Sequence, residues 1–233
     1  MRWLSLVGAV VLVSACSSGG GSGSGSGGAA GTGATGGSGG TGATAGAAGI
    51  GASGGMAGVA GATGGSGGAA GSTSNPLVEL DTSMGKMVFE LDPVRMPTTT
   101  ANFLAYVDAG FFDGTIFHRV IPDFVIQGGG YSSGLTPKAT NAPIPLETSP
   151  EILHDYGVIS MARTNDPNSA TSQFFVVNAA AGSHSLDGSY AAFGKMTEGS
   201  ATLDAISAVE TSNPPGFEDV PVTEVVINSA KRL

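Results

Sequence analysis

The sequence predicts a mainly β domain, a closed or nearly closed antiparallel barrel, preceded by a glycine-rich segment. The 233-residue chain contains 40 glycines, and 26 of them fall between Ser17 and Pro76, a stretch without charged or aromatic residues. From residue 77 onward, many short apolar segments alternate with turn residues, and only two stretches have helical periodicity. This pattern is typical of barrels. Residues 77–233 are long enough to bury one hydrophobic core.

The N-terminal residues have the pattern of a secretory signal peptide, which we expect to span residues 1–15. A basic residue, Arg2, precedes an apolar run from Trp3 to Val13. That run would cover roughly 17 Å as a helix, too little for the roughly 30 Å hydrocarbon core of a membrane. The following Val-Ser-Ala-Cys resembles a bacterial lipobox, which implies cleavage before Cys16 and attachment of lipid to its thiol. An ordinary signal peptide with an incidental cysteine is the alternative.

Residues 16–76 are predicted to form a disordered, lipid-anchored tether rich in Gly, Ser and Ala. Without charged or aromatic side chains, this segment cannot bury enough apolar surface to offset the entropy lost on ordering. A Gly-rich coil of this length spans roughly 40–50 Å on average. Cys16 is the only cysteine in the chain, so the folded part has no disulfide.

The folded part is predicted to open with a hairpin and a helix. Two apolar-rich segments, residues 77–80 and 86–91, flank a turn that contains Gly85. Residues 97–107 then begin with Pro and carry apolar side chains on one face, and Gly110 follows them. An initial Pro and a following Gly are helix start and stop signals.

The next segment, Phe117–Gly130, places one cation and one neutral amide in an apolar run. It reads Phe-His-Arg-Val-Ile-Pro-Asp-Phe-Val-Ile-Gln-Gly-Gly-Gly. Arg119 and Gln127 share a face if the strand is continuous, because residues an even number apart lie on one side. Pro122-Asp123 is a turn signal that can reset this parity, so the face of Phe124 stays open. A buried strand pair with one snorkelling arginine is the alternative to a functional site.

The remaining elements are predicted after a polar loop at residues 128–150. Strands are expected at residues 157–162, 172–177, 193–196 and 222–227. A second helix is expected at residues 201–209, where Leu203, Ile206 and Val209 are in phase.

The motif Phe-His-Arg-Val-Ile-Pro-x-Phe-x-x-Gln-Gly-Gly resembles the central motif of the cyclophilin family of peptidyl-prolyl cis-trans isomerases. Further segments follow in the order and at nearly the spacing of that family: Val158–Arg163, Ser172–Phe175, Leu186–Gly188 and Phe193–Lys195. The resemblance covers residues 77–233 and is greatest for the bacterial periplasmic branch. It implies an eight-stranded antiparallel barrel capped by two helices, a substrate groove on the outer face, and a monomeric enzyme without a cofactor.

The resemblance also implies roles for individual residues. Arg119 would be catalytic, together with Gln127 and Phe124. The implied substrate-binding residues are Phe124, Val125, Phe175 and Leu186 around the proline ring, Ala162, Arg163 and Thr164 at the peptide backbone, and Gln173 and Tyr190 along the groove. Two positions depart from the family pattern, since Val125 replaces a methionine and Ser185 replaces an aromatic residue.

The implied chemistry suits these residue types. Rotation about an amide bond faces a barrier of about 18–20 kcal/mol because the C–N bond has partial double-bond character. A guanidinium that donates to the prolyl nitrogen would stabilise the twisted amide more than either planar form. We expect Gln127 to hold the planar guanidinium of Arg119 in place.

Other chemistries find less support in the sequence. His118, His154 and His184 lack metal-ligand spacing, so we predict no metal site and a structural hydrogen bond for His118. Ser183–Asp187 contains the residue types of a catalytic triad, but neighbours this close in a loop cannot converge as a relay. All 18 acidic residues but only 8 of the 9 basic ones lie in the folded part, which disfavours nucleic acid as a partner.

We therefore expect a lipid-anchored isomerase of the bacterial cell envelope, facing the periplasm or the exterior. Its substrates would be Xaa-Pro bonds in unfolded or partly folded exported proteins. A catalytically weak, chaperone-like module that only binds Pro-containing segments is the alternative. A structural surface protein would leave Arg119 and Gln127 unexplained.

Overall fold

The computed structural model describes residues 75–233. The predicted signal peptide, the predicted lipidation site Cys16 and all but the last two residues of the predicted tether lie outside the described residues.

The described part of the chain forms eleven strands and two helices. The strands are β1 (Leu77–Thr82), β2 (Gly85–Leu91), β3 (Thr115–Ile121), β4 (Val125–Ser132), β5 (Thr136–Pro137), β6 (Val158–Met161), β7 (Phe174–Val177), β8 (Ala192–Glu198), β9 (Thr211–Ser212), β10 (Val220–Pro221) and β11 (Val225–Arg232). The helices are α1 (Pro97–Asp108) and α2 (Ser200–Ser207), and short 3-10 turns occur at Ser133–Leu135 and His184–Leu186.

Eight of these strands close into a barrel. Their order around the ring is β3, β11, β1, β2, β8, β6, β7 and β4, and β4 pairs with β3 to complete the circle. Every neighbouring pair is antiparallel. The short β5 adds to β4, and β9 pairs with β10 as a separate two-stranded sheet. The predicted eight-stranded antiparallel barrel with two helices is therefore confirmed.

The main core fills the barrel and is covered by α1. Phe103 of α1 packs against the rings of Phe112, Phe174 and Phe193, with centroid distances of 5.0–5.6 Å. The first residue of α1 is proline, and no side chain of the preceding residue caps the helix. Instead, Glu147 accepts hydrogen bonds from the N–H groups of Thr98 and Thr99 at 3.0 and 2.7 Å. A carboxylate at this end satisfies free N–H groups and complements the helix dipole.

A second, smaller apolar cluster lies on the outer face of β4, β6 and β7. On each strand one residue points into the barrel core and its neighbour belongs to this outer cluster, as with Ile126 and Val125 or Val176 and Phe175. All four residues of β6 and all four of β7 are consequently buried. Ala179 and Leu186 from the loop after β7 cover this face. The outer cluster is the surface on which the candidate site is built.

Two predicted boundaries are wrong. The loop expected from Gly128 begins later, because β4 continues through the three glycines to Ser132. These glycines are buried where no side chain fits: a Cβ on Gly130 would lie 2.5 Å from Cγ of Gln173. The last strand, expected at residues 222–227, is Val225–Arg232. Its second half is mostly polar, since only alternate side chains such as Ala230 face the core.

Neither helix in residues 75–233 is both long and apolar enough to cross a membrane.

Candidate active site

A bulge in β3 places Arg119 on the outer face of the barrel. Phe117 pairs with Gly128 and Arg119 pairs with the next residue, Gln127, so the register shifts between Phe117 and Arg119. Phe117 belongs to the interior core, and strict alternation would send Arg119 there too. The extra residue of a bulge changes the face of the side chains that follow it. Arg119 and Gln127 share a face through direct pairing between two strands, and not through parity along one continuous strand.

Asp219 lies beside the guanidinium of Arg119. The Arg119 side chain is 15% exposed, and its Nε lies 3.7 Å from Oδ2 of Asp219. The carbonyl of Asp219 accepts a hydrogen bond from the N–H of Val120 at 2.8 Å, and its backbone is left-handed, with φ of 56°. Asp219 is therefore fixed against β3. Sequence reasoning missed it, because nothing local marks a residue that lies close to Arg119 only after folding.

Arg119 keeps hydrogen-bonding capacity on the other side of its guanidinium. Nη1 is buried and forms no hydrogen bond with any residue in the described part of the chain. The expected hydrogen bond with Gln127 is not formed. Gln127 instead donates from Nε2 to Oε1 of Gln173 at 2.9 Å. Gln127 and Gln173 thus support each other, and Arg119 retains an N–H donor that residues 75–233 do not use.

The four apolar residues predicted to surround a proline ring line one open pocket. Its lining consists of Phe124, Val125, Gln127, Phe175 and Leu186, and its volume is about 190 Å³. Gln127 and Phe175 are direct partners across β4 and β7, and Leu186 comes from the 3-10 turn after β7. Four of the five lining residues are apolar, which suits a small hydrocarbon ring.

Asn178 holds the turn that presents Phe124. Its Oδ1 accepts a hydrogen bond from the N–H of Phe124 at 2.6 Å, and its Nδ2 donates to the carbonyl of Ile121 at 3.0 Å. Asp123 in the same turn has a left-handed φ of 54°, a conformation that Asp tolerates better than most residues. The turn between β3 and β4 therefore places Phe124 at the pocket. No local sequence pattern marks Asn178 for this role.

A buried hydrogen-bond chain lies behind the pocket wall. His154 contacts Oδ1 of Asp187 through Nδ1 at 2.8 Å and Oγ of Ser160 through Nε2 at 3.1 Å. Its ring stacks on Phe175 with a centroid distance of 5.8 Å. These are the residue types of a catalytic triad, but Ser160 is fully buried and cannot meet a substrate. Burial lowers the pKa of His154, although Asp187 opposes that shift. The hydrogen bonds of His154, together with its stacking on Phe175, hold Phe175 and the loop that carries Leu186 in place.

Arg163 and Tyr190 continue the surface beside the pocket. Arg163 donates from Nε and Nη2 to the carbonyl of Ser189 at 3.0 and 2.9 Å, and from Nη1 to the carbonyl of Thr164 at 2.8 Å. Its Cζ lies 4.6 Å from the ring centroid of Tyr190. Tyr190 in turn meets the edge of Phe175 at 5.6 Å. The strip formed by Arg163, Tyr190 and Phe175 is continuous with the pocket.

The other two residues predicted at the peptide backbone have N–H groups that are used within the fold. The N–H of Ala162 donates to the carbonyl of Gln173 at 2.9 Å. The N–H of Thr164 donates to Oγ of Ser169 at 2.9 Å. Any contact that these two residues make with a peptide backbone must use other atoms.

His118 is buried next to Arg119 and stays neutral. Burial and the adjacent Arg119 charge lower its pKa to about 4. Its ring packs against Tyr131 at a centroid distance of 4.7 Å. The backbone of Ile116 opposes this shift of the pKa, while Nδ1 forms no hydrogen bond of normal geometry with any described residue. Within residues 75–233, no three His, Cys, Asp or Glu side chains are arranged to hold a metal ion.

The sequence matches a known family and several characterised relatives. A family model described as cyclophilin type peptidyl-prolyl cis-trans isomerase/CLD matches residues 77–232. The chain is 50% identical over 163 residues to a peptidyl-prolyl cis-trans isomerase of Streptomyces antibioticus, covering 67% of this chain and 98% of that protein. It is 45% identical over 163 residues to peptidyl-prolyl cis-trans isomerase A of Dickeya dadantii, covering 69% and 86% of the two chains.

Solved structures share the fold. A crystal structure of a cyclophilin type peptidyl-prolyl cis-trans isomerase from Cryptosporidium parvum aligns with a TM-score of 0.59 at 29% identity, covering 68% of this chain and 98% of that one. A second structure of that protein, determined in the presence of the dipeptide Ala-Pro, aligns with a TM-score of 0.58 at 30% identity, covering 66% and 97% of the two chains.

Proposed function

Because this chain belongs to the cyclophilin family of peptidyl-prolyl cis-trans isomerases, we propose that Arg119 catalyses the twisting of an Xaa-Pro bond whose proline ring occupies the adjacent pocket. One observation carries the proposal. The pocket lined by Phe124, Val125, Gln127, Phe175 and Leu186 includes the residue that pairs directly with Arg119 across β3 and β4. An apolar site for a ring and a cationic donor are therefore neighbours on one face.

The proposed chemistry is electrostatic and forms no covalent intermediate. In the planar amide the nitrogen lone pair is delocalised, and this resonance sets the barrier of about 18–20 kcal/mol. In the twisted amide the lone pair is localised, so the nitrogen accepts a hydrogen bond strongly. An N–H of Arg119 would therefore stabilise the twisted state more than either planar state, and only such a difference accelerates the reaction.

The surroundings of Arg119 favour this role. Asp219 contacts the guanidinium at Nε, and the side chain keeps 15% of its surface exposed on the outer face of the barrel. A guanidinium held by such a contact loses less freedom when it meets a substrate. The apolar lining of the pocket would strengthen the hydrogen bond from Arg119 to the prolyl nitrogen, because water screens a charge less in an apolar environment than in bulk solvent.

The proposed substrates are Pro-containing segments of unfolded or partly folded proteins. The rival function is a module that binds prolyl segments without turnover. A protease-coupled assay with a short Xaa-Pro peptide distinguishes the two functions. We expect the rate of cis-trans isomerisation to rise in proportion to the protein concentration. Binding of the peptide without any acceleration would favour the rival.

We also propose that the enzyme is anchored to the cell envelope through lipid on Cys16. The support is the sequence of residues 1–16, whose charged start, apolar run and Val-Ser-Ala-Cys ending match a lipoprotein signal. The uncharged residues that follow offer no electrostatic attraction to lipid of their own. The substrates would then be exported proteins in the periplasm or at the exterior.

The Cys16→Ser variant tests the anchor. We expect it to leave the membrane fraction, because stable attachment needs two or more acyl chains and the variant has no thiol to carry them. Its isomerase activity should equal that of the wild type, since all residues that line the pocket lie in the folded domain. Retention of a normally processed Cys16→Ser protein in the membrane fraction would contradict the proposal.

A further inference from the structure

Arg163 differs from the other arginines of residues 75–233 in having no acidic partner. Arg95, Arg119 and Arg232 each lie within 4 Å of a carboxylate. No carboxylate approaches the Arg163 guanidinium that closely among the described residues, and its acceptors are the neutral carbonyls of Thr164 and Ser189. Its positive charge is thus oriented but not neutralised.

The acidic residue nearest to Arg163 in sequence, Asp166, and the acidic residue of the loop that Arg163 contacts, Asp187, are engaged elsewhere. Asp166 accepts a hydrogen bond from the N–H of Asn168 at 2.9 Å. Asp187, from the loop that Arg163 contacts, is held by His154 and by His184. A carboxylate for Arg163 would therefore have to come from outside the folded domain.

The Arg163 guanidinium is held in one orientation that leaves N–H donors for a carboxylate. It has five N–H donors, and the contacts with the carbonyls of Thr164 and Ser189 use three of them. The Tyr190 ring, 4.6 Å from Cζ, fixes the plane of the group, as cation–π contacts with arginine commonly do. Two donors remain, one on Nη1 and one on Nη2, and a carboxylate binds well to such a preorganised group.

The distance from the pocket limits where the carboxylate lies in a substrate. Arg163 reaches Phe175 through a single intervening ring, since Tyr190 contacts both of them. An extended peptide advances roughly 3.3–3.6 Å per residue. With its proline beside Phe175, a bound segment would bring a side chain to Arg163 within about three residues of the proline.

We propose that Arg163 selects Xaa-Pro segments that carry Asp or Glu within about three residues of the proline. The inference rests on the proposed role of the pocket and names the class of substrate that it prefers. The whole chain has a formal net charge of −9, so its general field repels acidic segments. The preference is therefore local and depends on this one guanidinium.

Peptide series that differ at one position test the selection. Glu, Gln or Lys is placed two residues before the proline in one series and two residues after it in another. The full chain is assayed for kcat/KM with each peptide. We expect the Glu peptide to exceed the Gln peptide by about three- to fivefold in at least one series at low salt, as for a partly exposed ion pair. The ratio should fall toward one at high salt because surface charges are screened.

Variants assign the preference to Arg163. In Arg163→Gln the Glu-to-Gln ratio should drop to about one, and Arg163→Lys should recover part of it because the charge is retained. Lys231→Gln is the matched control, since it removes one exposed positive charge on β11 and leaves Glu79 paired with Lys86. That control should keep the wild-type ratio. Equal kcat/KM values for the Glu, Gln and Lys peptides in both series would overturn the proposal. An unchanged Glu-to-Gln ratio in Arg163→Gln would overturn it as well.

Failure of the proposed function gives a different result. If the chain is not an isomerase, no peptide is accelerated, whatever its charge. Titrating the same peptides for binding then measures the selection directly, and the Glu peptide should still bind more tightly to the wild type than to Arg163→Gln. Equal binding of Glu and Gln peptides to the wild type contradicts the role of Arg163 in that case as well.

Discussion

His118 shows how one residue on β3, the strand that carries Arg119, can influence stability without touching a substrate. It is 6% exposed, and it follows Phe117 of the interior core and precedes Arg119. Burial, and secondly the charge of Arg119, lower its pKa from 6.5 to about 4. The neutral ring is therefore preferred in the folded state, while in the unfolded chain it gains a proton near its ordinary pKa.

The pH dependence of stability follows from that difference. The folded state binds fewer protons than the unfolded state between about pH 4 and 6.5, so the contribution of neutral His118 is complete above pH 6.5 and is lost as the pH falls toward 4. The loss is on the order of 3 kcal/mol over the whole window. His118→Leu should reduce the decline in the free energy of unfolding between pH 7 and 5, measured by urea denaturation.

Other titratable groups with shifted pKa values do not obscure the effect of His118→Leu on the pH dependence of stability. The pKa of His154 is also lowered by burial, so the variant should keep a smaller decline over the same window. The carboxyl groups of Glu147 and Asp187 have lowered pKa values, because N–H donors and histidines outweigh the effect of burial. Their stabilising contributions are lost only as the pH falls below the ordinary range of carboxyl groups. Identical pH profiles for wild type and His118→Leu would contradict the assignment.

At the scale of elements, the β3–β4 pair determines the geometry of the site. The bulge turns Arg119 outward, and the glycines of β4 allow the strand to pass close to the aromatic core. Gly129 has a left-handed φ of 80°, and a Cβ there would lie 2.9 Å from ring atoms of both Phe112 and Phe174. Side-chain bulk at this position would displace the strand that carries Gln127.

Gly129→Ala should therefore lower stability for two separable reasons. Gly134→Ala is the matched control, since Gly134 has φ of 71° but no atom within 4 Å of its Cβ position. We expect Gly134→Ala to cost about 1–2 kcal/mol from backbone strain, and Gly129→Ala about 1–3 kcal/mol more from overpacking against the rings. Urea denaturation of both variants measures the difference in the free energy of unfolding. Equal losses of stability would contradict the expected overpacking against Phe112 and Phe174.

Sequence patterns predicted most elements but not these details. Alternation and turn residues located the hairpin, both helices and the strands of the outer cluster. The bulge at His118 was not predictable, because its sequence is indistinguishable from that of a regular apolar strand. Glycine is a turn signal, so the sequence predicts a loop from Gly128, whereas β4 continues to Ser132 because glycine is needed there for close packing.

At the scale of the whole molecule, the site is assembled by barrel closure from distant parts of the chain. The family motif identified the pocket residues, since they lie in or near recognisable segments. Asn178, His154 and Asp219 act through hydrogen bonds and ion contacts that exist only in the closed barrel. No local periodicity reports such contacts, so these supporting residues were found only in the structure.

We propose that Arg119 acts on the twisted amide more than on the bound ground state. The most direct measurement compares wild type and Arg119→Ala in prolyl isomerisation and, separately, in affinity for the same peptide. We predict that kcat/KM falls by about a hundred- to a thousandfold, as when one donor to a transition state is removed, while affinity falls by less than about tenfold. Arg232→Ala, which removes an exposed arginine paired with Asp108, serves as the control and should retain wild-type turnover. An Arg119→Ala protein that folds and isomerises the peptide at the wild-type rate would contradict the account.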